Sequence, residues 1–66
     1  MEHYYVNNKP QRNGDHEVHK ENCTHMPLDL KYLKYHSDCK DAVIEAKKTY
    51  AQSNGCFFCC RECHTG

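Results

Sequence analysis

The chain has no tryptophan, two phenylalanines, three glycines and two prolines, and none of its apolar runs approaches the roughly 20 residues that span a bilayer. Membrane insertion is therefore not expected. The scarcity of large apolar side chains, with a mean hydropathy of -1.03, also limits the core. Sixty-six residues make one domain, 1–66, near the lower limit at which a hydrophobic core alone gives stability. At about 25 cal/mol per Å² of apolar burial against about 1.5 kcal/mol of ordering entropy per residue, the balance comes out near zero. A covalent or metal staple is expected to supply the difference.

Charge of one sign is lacking too: nine basic and nine acidic residues cancel and are interspersed. Phosphate-driven binding of duplex nucleic acid needs a basic face, so a protein partner fits this composition better. No Gly-rich phosphate loop, Ser/His/Asp set or carboxylate pair in an apolar setting is visible, and the chain reads as a non-enzyme. The residues after Met1 lack a basic segment followed by an apolar run, which predicts a cytoplasmic monomer without a secretory leader.

Cysteine and histidine are plentiful, at six each. Four of the cysteines lie in the last eleven residues, Cys56-Phe57-Phe58-Cys59-Cys60-Arg61-Glu62-Cys63-His64-Thr65-Gly66. In a reducing compartment such a cluster points to metal; in an oxidising one it would point to a disulfide framework, whose pairing the sequence leaves open. Cys56-x2-Cys59 puts two thiolates on one tight turn, able to reach one ion at about 2.3 Å. Cys63 and His64 return within one further turn, and Cys23, in a loop, is the natural fourth ligand. The expected site is thus Cys23, Cys56, Cys59 and Cys63 around a structural Zn²⁺, with His64 or His25 able to replace one sulfur. An iron–sulfur cluster is a less simple occupant of four thiolates.

The remaining candidates read differently. Cys39 falls on the apolar stripe of a helix and is expected to be a small core residue. Phe57 and Phe58 are expected to pack the knuckle against a sheet. His16-Glu17-Val18-His19 is not a zinc-protease motif, because its histidines are three apart in a predicted strand and face opposite sides. They read as half-exposed strand histidines, with His16 reaching the metal across the sheet as a minor alternative. A redox role for Cys56-Phe57-Phe58-Cys59 is the runner-up function, beside metal handling, but the motif follows a helix instead of opening one.

Local pattern predicts the elements. His3 to Asn7 is a β-branched and aromatic strand, and Asn13-Gly14 signals either a two-residue hairpin turn or the end of a wider loop from Asn8. Asp15 to Lys20 alternates, with Val18 marking the buried face. Glu21 to Asp29 is a loop. Leu30 to His36 forms a third strand, with Leu33 and Tyr35 on one side. Ser37 or Asp38 caps a helix whose stripe is Cys39, Ala42, Val43, Ala46 and Tyr50, ending at Asn54-Gly55 in a left-handed cap. The fold class is α+β: a small three-stranded antiparallel sheet, one helix laid on it, and a C-terminal Cys-rich knuckle. Tyr4, Tyr5, Tyr32 and Tyr35 on such a sheet could stack single-stranded bases.

Tyr4-Tyr5-Val6-Asn7, Asn13-Gly14-Asp15-His16-Glu17-Val18-His19, Ala42-Val43 with Ala46-Lys47-Lys48-x-Tyr50, and Asn54-Gly55-Cys56-x2-Cys59-x3-Cys63-His64 together resemble a group of short, uncharacterised bacterial proteins. The resemblance covers nearly the whole chain. It implies a bacterial, intracellular, single-domain protein and supplies no activity. Cys60 departs from that pattern, so Cys60→Ser is expected to be nearly silent, whereas Cys59→Ser is expected to unfold the domain.

Overall fold

A computed structural model describes residues 1–65. Strands β1 (Glu2–Asn7), β2 (His16–Lys20) and β3 (Leu30–His36) precede helix α1 (Cys39–Lys47), and a short strand β4 (Ser53–Gly55) and a 3₁₀ turn (Arg61–Cys63) follow it. The sheet has four strands in the order β3-β1-β2-β4. The α+β expectation of strands and one helix is met, but the sheet is mixed. β1 pairs antiparallel with β2 and β3, whereas β4 runs parallel to β2, with Ser53 beside His16 and Gly55 beside Val18. No helix among the described residues is long and apolar enough to cross a membrane.

Val6 and Val18 are opposite one another across β1 and β2, and both are fully buried. They meet Tyr4 and Leu33 of the sheet, Cys39, Ala42 and Ala46 of α1, and Cys60 of the tail in one core. The helix begins where Asp38 accepts a hydrogen bond from Asp41 N, with Asp41 in its first turn and Lys47 in its last, as its dipole favours. Small side chains at Ala42 and Ala46 let it lie close on the sheet, with Val43 and Tyr50 packed at the edge of the core.

The helix stops at Lys47, well before Asn54-Gly55. Tyr50 N donates to Ala46 O, and its hydroxyl donates to Asn8 Oδ1, so the chain turns back toward the sheet. Asn54 and Gly55 take strand positions instead of a left-handed cap. Asn54 Nδ2 donates to Asp15 Oδ2 and Thr65 O, and Thr65 N donates to Asn54 Oδ1, so this residue ties the first loop to the tail. Side-chain donors from Gln52 and Asn54 hold the Asp15 carboxyl below the usual carboxylate range. The first connection is the wide loop, with Gly14 at a φ of 93° where a side chain would be strained.

One residue changes the face of β3. Lys34 has a φ of 79° and sits in a bulge, where β3 spends one more residue than β1 between the pairs His3–Tyr35 and Tyr5–Tyr32. Leu33 remains buried, but Tyr35 moves to the opposite face, which corrects the expected alternation. The helix-free face consequently carries an aromatic row of His3, Tyr5, Tyr32 and Tyr35 in mutual contact, while Tyr4 lies buried under the helix.

Candidate metal centre

The parallel pairing of β4 carries the tail to the end of β2. Cys56 N donates to Val18 O, continuing the ladder, and the chain then turns so that Cys60 N donates to Cys56 O. On the other side Asn22, at a φ of 71°, reverses the chain directly after β2, and Cys23 N donates to Lys20 O. Asn tolerates this left-handed conformation better than most residues. Two short turns thus deliver Cys23, Cys56 and Cys59 to the end of one strand, beside His19.

The ligand atoms of His19, Cys23, Cys56 and Cys59 all lie within 4.8 Å of one another. Cys23 Sγ is 3.9 Å from Cys56 Sγ, and Cys59 Sγ is 3.9 Å from His19 Nδ1. A tetrahedron with Zn–S bonds of about 2.3 Å and a Zn–N bond of about 2.0 Å has S···S edges of about 3.8 Å and S···N edges of about 3.5 Å. The observed spacing therefore encloses a single ion with little adjustment. It is too tight to enclose a multi-iron cluster.

The surroundings agree with a cation. His19 is fully buried, and its Nε2 is a buried side-chain nitrogen with no hydrogen-bond partner among the described residues. The nitrogen turned toward the sulfurs is the other one, Nδ1. Nε2 lies 3.7 Å from Glu17 Oε1, beyond hydrogen-bond reach. Burial keeps His19 neutral by pushing its pKa down, which leaves a lone pair for an ion. Lys20 N donates to Cys59 Sγ at 3.4 Å, a partner suited to a coordinated sulfur. Burial, then the contact with Cys23, pushes the Cys59 thiol far up, so without a cation this sulfur stays protonated.

Three of the four expected ligands are brought together and the fourth is not. Cys63 is disulfide-bonded to Cys39, with Cα atoms 6.3 Å apart. The candidate metal ligands and the disulfide, read from sequence as exclusive alternatives, fall on different cysteines of one chain, and four thiols stay free. Cys39 is indeed buried in the core, but as half of that link. His25 is exposed and stacks on Phe58, and His64 Nδ1 donates to Gly55 O, so neither alternate reaches the group. His16 stacks on Tyr50 at the other end of β2 and bonds Asn7 O.

His19 is the residue that sequence reasoning missed. Alternation placed it opposite Val18, on what read as a half-exposed face, and only the parallel β4 and the knuckle bury it. Its separation of four from Cys23, across a strand end and a turn containing Asn22, was the available signal.

Three further residues change role. Phe57 and Phe58 are 43% and 64% exposed instead of packing against the sheet. Cys60 is fully buried in the main core, and burial pushes its thiol up to about 11. Cys60→Ser should therefore not be silent: burying a hydroxyl there is expected to cost about 1–3 kcal/mol in urea unfolding, with metal stoichiometry unchanged.

No known family matches the chain, and no curated protein or solved structure does either. What the domain does must be argued from its geometry.

Proposed function

We propose that the chain is a zinc-stabilised binding module whose single structural ion is held by His19, Cys23, Cys56 and Cys59. The observation that carries this reading is the convergence of four ligand atoms within 4.8 Å, one of them on a fully buried imidazole. Three sulfurs and one nitrogen at tetrahedral spacing suit Zn²⁺ above the hard cations, and four protein ligands make a closed, structural site. The bound ion would supply folding free energy and stitch together β2, its following turn and the knuckle.

A protein partner fits the exposed surface better than duplex nucleic acid. Net charge is zero, and the knuckle presents Phe57 and Phe58 with the Arg61 guanidinium 4.9 Å from the Phe57 ring centre. Aromatic residues and arginine are the side chains enriched where proteins meet. Thiol exchange through Cys56 and Cys59 is the weaker reading, because burial raises the Cys59 pKa where an attacking thiol needs it lowered.

Cobalt substitution tests the site directly. One Co²⁺ per chain should bind with the strong visible absorption of a tetrahedral ion and the near-ultraviolet charge transfer of three thiolates, and Zn²⁺ should displace it. His19→Ala should change the visible band while thiolate charge transfer persists. Octahedral Co²⁺, or no binding at micromolar concentration, would remove the proposed coordination.

A further inference from the structure

A second group of ligand atoms lies on the other side of the knuckle. Cys39 is the first residue of α1, Glu62 and Cys63 belong to the 3₁₀ turn, and Asp38 and Lys40 complete the lining of a cavity of about 300 Å³. Glu62 Oε1 is 3.2 Å from Cys39 Sγ. In the disulfide that sulfur has no hydrogen, so a carboxylate oxygen faces a sulfur that can offer it nothing. Opening the disulfide gives the contact a purpose, because a thiol can donate to Glu62 and a thiolate can share a cation with it.

We propose that Cys39, Glu62 and Cys63 form a second metal site, closed by the disulfide and opened by its reduction, for a divalent thiophilic cation of the Zn²⁺ class. The Glu62 carboxylate already lies within 4.8 Å of both sulfurs, which are bonded to each other here and would part to take up a cation. A dithiol supplies two electrons and two protons, breaking the Cys39–Cys63 bond and becoming a disulfide itself. The cation then displaces the two thiol protons to solvent and binds two thiolates and the Glu62 carboxylate. Three protein ligands leave a fourth position facing the cavity, the pattern of an exchangeable zinc site and not of a closed one. Cys39 is buried, Cys63 half-buried and Glu62 exposed, so the ion enters from the Glu62 side.

This site shares no ligand with the one formed by His19, Cys23, Cys56 and Cys59. It exchanges a covalent tie between α1 and the knuckle for a metal tie between the same residues. The domain would thereby report the redox state of its surroundings in the number of ions it holds, without losing that tie.

Metal stoichiometry of the full chain, read by native mass spectrometry with Zn²⁺ and by Co²⁺ titration, tests the inference. The oxidised chain should hold one ion; after reduction by a phosphine, which adds two hydrogens and no competing thiol, it should hold two. Glu62→Gln, at an exposed position, should keep the first ion and weaken the second by at least the roughly tenfold that even an outer-shell partner is worth. Cys63→Ser should hold one ion in either redox state. A reduced chain that gains no ion, or a second ion unaffected by both substitutions, would overturn the proposal. Absence of metal from the oxidised chain would count against the first site alone, since the increment on reduction is scored separately.

Discussion

Zinc removal should abolish the cooperative thermal transition of this domain, and Cys59→Ser should do the same without chelator. An apparent metal-binding free energy of roughly 10–16 kcal/mol is as large as the whole stability of an ordinary domain, about 5–15 kcal/mol. The core here is small, with Tyr4, Val6, Val18 and Leu33 from the sheet meeting mainly alanines and cysteines. Without the ion, buried His19 and half-buried Cys59 would face one another with no cation between them, and the turns after β2 and β4 would lose their common anchor. The Cys39–Cys63 disulfide, spanning 24 residues, contributes on the order of 3 kcal/mol through the unfolded chain and should not replace the metal. Near-ultraviolet circular dichroism of the tyrosines, followed against temperature with and without chelator, makes the measurement. A chelated, metal-free chain that melts at the same temperature as the loaded one would show that the ion is not structural.

Gly55→Ala should have the next largest effect. The added Cβ would lie 2.7 Å from Cys60 O, 2.9 Å from Cys63 Cβ and 3.0 Å from Cys63 C. Two of those three atoms are backbone, so no side-chain rotation relieves the overlap. Gly55 is also in the β2–β4 ladder and immediately precedes Cys56, so the strain would be passed to a candidate metal ligand. Overpacking of this kind costs about 1–3 kcal/mol. The expected result is a lower unfolding midpoint together with weaker Co²⁺ binding, and the joint loss is the informative outcome. Gly14→Ala, where the nearest atoms belong to the flexible Gln52 side chain, should lower the midpoint through its positive φ and leave Co²⁺ affinity unchanged.

The comparison of the two glycines explains part of what sequence reading could and could not reach. Gly14 has the left-handed conformation expected at the entrance to β2, a local property visible in Asn13-Gly14. Gly55 does not: it is required by atoms five and eight residues further along, brought onto it by the knuckle. The same distinction separates Cys56 and Cys59, legible from their spacing, from His19, whose burial depends on a parallel strand no local pattern announces. Cys63 looked like the third ligand of the tail because it is near in sequence. The 3₁₀ turn directs it instead toward the start of α1, where Cys39 waits.

By itself the sequence determined the α+β class, the positions of the first three strands, a helix cap at Ser37 or Asp38, the helix stripe and the need for a staple in a chain with so little apolar mass. Each of these follows from periodicity, capping chemistry or composition, which act over a few residues or over the whole chain at once. Tertiary structure alone decided that β4 pairs parallel to β2, that the Lys34 bulge turns Tyr35 outward, and that the cysteines divide between a candidate ion site and a disulfide. The physical reason is that a ligand set is a matter of distance in space. Residues 19, 23, 56 and 59 become neighbours only after the strand ladder and two turns have fixed their backbones, and that closure is invisible in any local window.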